Sequence, residues 1–257
     1  MAKFEEYADK YKFVKMERRD GILQMTLHSD GKELLWGAGP HRELGDCFWD
    51  IANDPHNKVI ILTGTGKDFI AELDEGPLTT IPTKVWDKIY FEGKKLLTTL
   101  LDVPVPMIAA VNGPANVHAE LAVLCDIVLA ADHANFSDAP HFSGGLVPGD
   151  GVHLVWPLLL GPNRGRYFLL TGEEISAEEA KSLGVVAEVM PQDDLLPRAW
   201  ELAEKLCQQP TLTMRYARVA MTQQLKKMML ENLGYGLALE GLAASDFWPG
   251  GENAPKE

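Results

Sequence analysis

The sequence predicts an α/β protein, and three observations predict it. Three short apolar runs, KVIILTG at 58–64, MIAAV at 107–111 and DIVLAA at 126–131, lack polar alternation, as strands buried on both faces require. Helical patterns fall between them, the βαβ alternation of a parallel sheet. After Gly151 helical patterns follow one another, interrupted by one short strand at Val185–Met190.

Taken in order, Phe13–His28 reads as a β-hairpin: VKMER alternates, Arg19-Asp20-Gly21 turns, and ILQMTLH returns. Leu34-Leu35-Trp36 is a short apolar piece closed by Gly37-Ala38-Gly39-Pro40. HRELGDCFWDIAND has helical spacing with Leu44, Phe48 and Ile51 on its apolar face, and His41 shares that face. The strand at Lys58–Gly64 runs into GTGKDFIAELDEGPLTT, a loop of mixed charge. Lys84–Leu101 is an amphipathic helix that Pro104 and Pro106 stop before the strand Met107–Val111. Asn112-Gly113-Pro114 turns the chain, and a short apolar helix follows His118 and Glu120. Asp126–Ala131 then leads into a loop carrying Asp138, His141 and Asp150 among glycines and prolines. Glu174–Leu183 is helical, with Ser176 and Glu179 at capping-box spacing. Helices over Pro197–Gln208, Thr211–Met229 and Leu230–Phe247 complete the chain, and GGENAPKE is expected to fray.

Composition narrows the function. A formal net charge of −13 over 257 residues disfavours nucleic acid and anionic membrane surfaces as partners. No apolar run reaches the roughly 18 residues of a membrane span. The polar N-terminus lacks a signal-peptide pattern, and Cys47, Cys125 and Cys207 read as free buried thiols, so a cytoplasmic location is expected. With no CxxC, no HExxH and no paired His/Cys cluster, neither a metal nor a cofactor is signalled. GTGKDF lacks the phosphate-loop spacing, and no serine sits in Gly-x-Ser-x-Gly.

Buried strands ending in loops rich in titratable groups are the plan of an α/β active site. His141 and Asp150 share one such loop. A carboxylate on one imidazole nitrogen fixes the tautomer and leaves the other nitrogen a base. Asp150 is equally well placed to cap the helix after it, and His141 to be an exposed loop residue. His118, at a helix start, suits oxyanion stabilisation or is surface decoration. Glu240 falls in the apolar stripe of Leu233, Leu237, Ala244 and Phe247. A carboxylate there is functional, ion-paired or at a subunit contact. His41 is a candidate or a core histidine. Trp36, Trp86, Trp156 and Phe142 are candidate pocket-lining aromatics or core, whereas His28, His56, His133 and His153 have no partner pattern.

The order LTGTGKDF, PVPMIAAVNGPA, LAVLCDIVLAA, ANFSD, LVPGDG, LLTGEEISAEEAKSLGVVAEV resembles the crotonase (enoyl-CoA hydratase/isomerase) superfamily over roughly residues 12 to 250. The resemblance implies a crotonase-like spiral of ββα repeats over residues 1–195. It also implies a C-terminal helical region, 196–257, that builds a homotrimer or a dimer of trimers and contributes to the active site. Three places depart from the family pattern. Asn116-Val117-His118-Ala119-Glu120 replaces a glycine pair at the second oxyanion donor and is one residue shorter. Ala71-Glu72-Leu73-Asp74 stands for Ala-Gly-x-Asp, and His141 after Pro140 stands for a catalytic glutamate.

This altered set is similar to that of β-diketone hydrolases of the 6-oxocamphor hydrolase type. The resemblance marks His41, His118, His141, Asp150 and Glu240 as catalytic, with no cofactor. It implies retro-Claisen hydrolysis of a cyclic, non-enolisable 1,3-diketone to a keto acid. In that scheme Asp150 orients His141, which deprotonates water, and His118 stabilises the leaving enolate. His41 and Glu240 place the water or shuttle protons; Trp36, Phe142 and Trp156 are expected, from the residues alone, to line the substrate site. Two alternatives stand beside it: a CoA-thioester hydratase or isomerase using Glu120, and a crotonase-like protein that only binds.

Overall fold

β1 (Val14–Arg19) and β2 (Ile22–Leu27) form an antiparallel hairpin, and Asp20 and Gly21 turn it with positive φ. The computed structural model describes residues 2–74 and 83–248. A helical turn, α1 (Phe4–Tyr7), precedes the hairpin. The chain then forms β3 (Leu35–Trp36), α2 (Ala38–Ala52), β4 (Val59–Gly64), β5 (Glu72–Leu73) and α3 (Thr83–Asp102). After α3 come β6 (Met107–Val111), the short α4 (Glu120–Val123), β7 (Ile127–Ala131) and β8 (Asn135–Phe136). The last part holds α5 (Val152–Leu160), α6 (Pro162–Thr171), β9 (Ile175–Ser176), α7 (Ala177–Ser182), β10 (Glu188–Met190), α8 (Gln192–Leu206) and α9 (Thr211–Phe247).

The main sheet has the order β1-β2-β4-β6-β7-β10, parallel everywhere except the hairpin. Every residue of β4 and β6 is buried, which is why neither alternates in sequence. β3 pairs with β5, and β8 with β9, as two-stranded ribbons beside the sheet.

Several boundaries differ from the expected ones. The strand at Val185–Met190 narrows to Glu188–Met190, because Leu183, Gly184, Val185 and Val186 fold back on α7 through backbone hydrogen bonds. The helix at Glu174–Leu183 shortens to α7, where Ser176 Oγ accepts from the Glu179 N–H at 3.2 Å. Gly151, with φ +109°, holds the N-cap position of α5, so Asp150 is not a cap. The two helices expected over 211–229 and 230–247 are one 37-residue helix. No proline or turn dipeptide interrupts it at Met229-Leu230, and Met229 and Leu233 are both buried. Part of the mixed-charge loop (75–80) and the segment expected to fray (250–257) lie outside the described residues.

α9 is fastened along its length. Arg218, 1% exposed, donates from Nε to Asp126 Oδ2 at 2.7 Å and from Nη1 to the carbonyls of Leu101 and Val103. A charge at that depth persists only when it is paired and hydrogen-bonded. The helix then runs antiparallel to α3, from Lys226–Asp102 (2.8 Å) to Trp86 Nε1 on the Leu237 carbonyl (3.1 Å). Gly149 and Gly236 make a second close approach. A Cβ on Gly149 would lie 2.3 Å from the Gly236 carbonyl oxygen and 2.7 Å from Glu240 Cβ. Only glycine lets the loop before α5 and α9 meet this closely, and that contact carries Glu240 inward.

Candidate active site

Asn112, at the end of β6, pins the loops that carry the site. Its Oδ1 accepts from the Gly64 N–H, and its Nδ2 donates to the Gly66 and Asp68 carbonyls. The next residues bond sideways. Ala115 N–H donates to the Asn135 carbonyl, Ser137 N–H to the Ala115 carbonyl, and Ala139 N–H to the Asn116 carbonyl. These bonds clamp the loop of Asp138 and His141 to the loop of His118. One tight turn (Phe142–Gly144), with Leu146 N–H on the His141 carbonyl at 2.9 Å, closes the histidine loop.

His118 has φ +49°, a left-handed conformation rare for a residue with a side chain. Such a backbone costs about 1–3 kcal/mol and persists only where its surroundings hold it. Here the ring stacks on Trp36, with centroids 4.1 Å apart. Its Nδ1 lies 2.5 Å from Glu120 Oε1 and 3.3 Å from Asp150 Oδ2. Burial opposes a charged His118, but Glu120 and Asp150 outweigh it, and the imidazole titrates above the ordinary histidine value. Glu120 is pushed up by its own burial, against the pull of His118.

His141 is buried, not an exposed loop residue. Its Nδ1 lies 2.5 Å from Asp138 Oδ1, while Nε2 faces Asp150 Oδ2 at 3.4 Å and Glu240 Oε1 at 3.5 Å. Asp150, the expected partner, thus stands at one ring nitrogen, and Asp138, not among the expected partners, at the other. Burial opposes a charged His141, yet Asp150 and the bonds to Asp138, Asp150 and Glu240 hold its pKa well above the usual range. Asp150 Oδ2 reaches both imidazoles, 3.3 Å from His118 and 3.4 Å from His141. Against its burial, those two rings push its pKa down.

Burial, aided by the charge of Asp150, pushes Glu240 up to about 7, although His141 pulls the other way. The linkage has a definite sign. An acid whose folded pKa is raised destabilises the fold as pH climbs from its unfolded value to its folded one. Glu240→Gln is therefore expected to melt above the parent at pH 8, with the advantage shrinking at pH 5. Thermal melts at the two pH values check this, and equal shifts would contradict it.

His41, on α2, sits edge-on to Trp36 (6.0 Å) and 5.9 Å from the His118 ring. Burial, then the charge of His118, lowers its pKa to about 4, so it is neutral at pH 7. The Glu92 carboxylate 3.6 Å from its Nδ1 therefore faces a neutral ring and forms no ion pair. All five candidate catalytic residues thus converge, and Trp36 joins them. Trp156 does not: it is fully buried between Phe136 and Phe168, where it packs the core. Phe142 adjoins His141 in sequence but is half exposed. Asp138 and Glu92 were not among the expected site residues. The one local signal for Asp138 was its spacing three residues before His141, across Pro140. The sequence signalled no metal site, yet ligand atoms of His118, Glu120 and Asp150 lie within 4.8 Å of one another. Pairing of a charged imidazole with two carboxylates accounts for that closeness.

The enoyl-CoA hydratase/isomerase family pattern matches residues 17–237, most of the chain. The chain belongs to that family. Among crotonase relatives, it is 34% identical over 226 residues to a carnitinyl-CoA dehydratase of Salmonella arizonae, covering 86% of this chain and 84% of that protein. It is 30% identical to a crotonyl-CoA hydratase of Syntrophomonas wolfei, covering 76% and 77%. A solved β-diketone hydrolase of the cyanobacterium Anabaena sp. PCC 7120, bound to (S)-3-oxocyclohexyl acetic acid, is 50% identical with a TM-score of 0.91. That match covers 94% of this chain and 97% of the other. An enoyl-CoA hydratase/isomerase of Mycobacterium paratuberculosis superposes with a TM-score of 0.84 at 28% identity, covering 90% and 93%. The fold is therefore the crotonase α/β fold with a C-terminal helix, and the chain is a crotonase-family enzyme. Among the described residues, no helix is long and apolar enough to cross a membrane.

Proposed function

We propose that this crotonase-family enzyme hydrolyses a carbon–carbon bond of cyclic, non-enolisable 1,3-diketones, without a cofactor, by a retro-Claisen reaction. The observation that carries the reading is the single carboxylate oxygen of Asp150 within 3.4 Å of both His118 and His141. It supports a base and an oxyanion stabiliser acting on one small substrate. The neutral form of His141, which grows as pH rises because its carboxylate neighbours favour the charged ring, takes a proton from water at Nε2, and the hydroxide adds to one carbonyl. Charged His118 stabilises the oxyanion. The bond to the carbon between the ketones breaks, its electron pair becomes the enolate of the second ketone, and that carbon is protonated. Diketone plus water thus gives one keto acid. Glu240, with a pKa of about 7, both accepts and returns protons near neutrality. Neutral His41 and the Trp36 ring wall the site beside His118.

The ligand of the Anabaena enzyme supports the substrate class. A cyclohexanone bearing acetic acid at C3 is what hydroxide opening of a bicyclo-octane-2,6-dione leaves behind. That mirror-symmetric diketone is the first substrate to test. In heavy-oxygen water one label is expected in the new carboxylate, and chiral analysis is expected to give one enantiomer in excess. Absence of cleavage across a panel of cyclic 1,3-diketones would end the assignment.

The competing reading is CoA-thioester hydration through Glu120, in line with the names of the sequence relatives. Against it, Glu120 is fully buried and tied to His118 at 2.5 Å. Crotonyl-CoA turnover would favour that reading. Association into a trimer or a pair of trimers is part of the proposal, supported by exposed Tyr216, Met221, Leu230, Tyr235 and Leu242 along α9.

A further inference from the structure

We infer that Asp138 is the positioning residue of the site: it holds the Nδ1 proton of His141 and so dedicates Nε2 to the reacting water. The Oδ1–Nδ1 separation is 2.5 Å, and both side chains are buried. An ionised carboxylate can only accept, so the proton between them belongs to the imidazole. Asp138 is also held in place. Its neighbours Ser137 and Ala139 donate backbone N–H groups to Ala115 and Asn116, and Ser137 Oγ donates to Asn116 Oδ1 at 3.1 Å. Pro140 fixes the chain between aspartate and histidine, and Ser143 Oγ closes the loop on the Ala139 carbonyl.

The opposite nitrogen has a different environment. Asp150 Oδ2 and Glu240 Oε1 stand at 3.4 and 3.5 Å, longer than the Asp138 contact and beyond a tight hydrogen bond. Asp150 is also engaged with His118 at 3.3 Å. One carboxylate that spans two rings fixes the tautomer of neither, whereas Asp138 faces His141 alone among the histidines of the site. The working unit is therefore Asp138–His141–water, with Asp150 and Glu240 around the water.

The charged and titratable groups facing His141 are Asp138 on its own loop, Asp150 on the next, Glu240 on α9, and His118 and His153 from α4's leading loop and α5. The test reads the ring directly. In protein labelled with ¹⁵N-histidine, with His141 assigned through His141→Gln, the neutral ring is expected to carry its proton on Nδ1. Asp138→Asn is expected to lower the His141 titration midpoint and to move the proton to Nε2. It should cut kcat by about 10²-fold or more and shift the rising limb of kcat/KM to lower pH, with Asp138→Glu restoring part of each. A merely structural Asp138 would lower Tm and leave tautomer and midpoint unchanged. A neutral His141 protonated on Nε2 in the native protein would overturn the inference, even if no Asp138 variant folds. The catalytic arm rests on the diketone reading; the spectroscopic arm does not, so failure of one is distinguishable from failure of the other.

Discussion

His141→Ala is expected to lose two or more decades of diketone turnover while keeping its fold, and His118→Ala the same. General-base help contributes about 10²–10⁴-fold, and one well-aimed oxyanion donor about 3 kcal/mol, so each loss alone exceeds a hundredfold. The two variants should nevertheless differ in kind. Without His141 the water loses its base, and raising the pH returns part of the rate as free hydroxide increases. Without His118 the oxyanion loses its stabiliser, and pH returns nothing. Both alanines leave buried carboxylates without an imidazole partner, Glu120 and Asp150 beside position 118 and Asp138, Asp150 and Glu240 beside position 141, so a lower Tm accompanies the kinetic loss. A still-cooperative melt at lower Tm with collapsed kcat is the expected pair of results. Turnover within about threefold of the parent would remove that residue from the chemistry.

Asp150→Asn is expected to have an effect of the same order through charge rather than contact. The carboxylate at 150 raises the pKa of both His118 and His141. Its removal lowers both, so His118 keeps its positive charge only under more acidic conditions. The proposed reaction needs His118 charged, and a lower His118 pKa empties that form first at the alkaline end. The loss in kcat/KM is therefore larger at pH 8 than at pH 6. A uniform loss at both pH values would show that Asp150 contributes shape alone.

Much of the fold was legible because buried parallel strands and amphipathic helices write themselves locally. β6 falls on the expected residues, and β4 and α3 differ by one residue at one or both ends. The long last helix reads as two from sequence although nothing breaks it at Met229-Leu230; its glycines, Gly234, Gly236 and Gly241, serve close contacts with Tyr90, His153 and Trp86. Glu240 was visible as an acid in an apolar stripe, a local contradiction that a site resolves. Asp138 was not, since its role depends on bonds between two loops more than twenty residues apart, which no periodicity records. Trp156 illustrates the converse: an aromatic beside a candidate loop reads as a pocket wall until its neighbours Phe136 and Phe168 place it in the core.

That Glu240 enters through the contact of Gly149 with Gly236 sets a timetable for biosynthesis. Ninety residues separate Asp150 from Glu240. At about 5–20 residues per second the ribosome needs on the order of 5–20 s to add them. For that interval a growing polypeptide carries all three histidines with Glu240 still unmade, so the complete cluster is something the molecule acquires last.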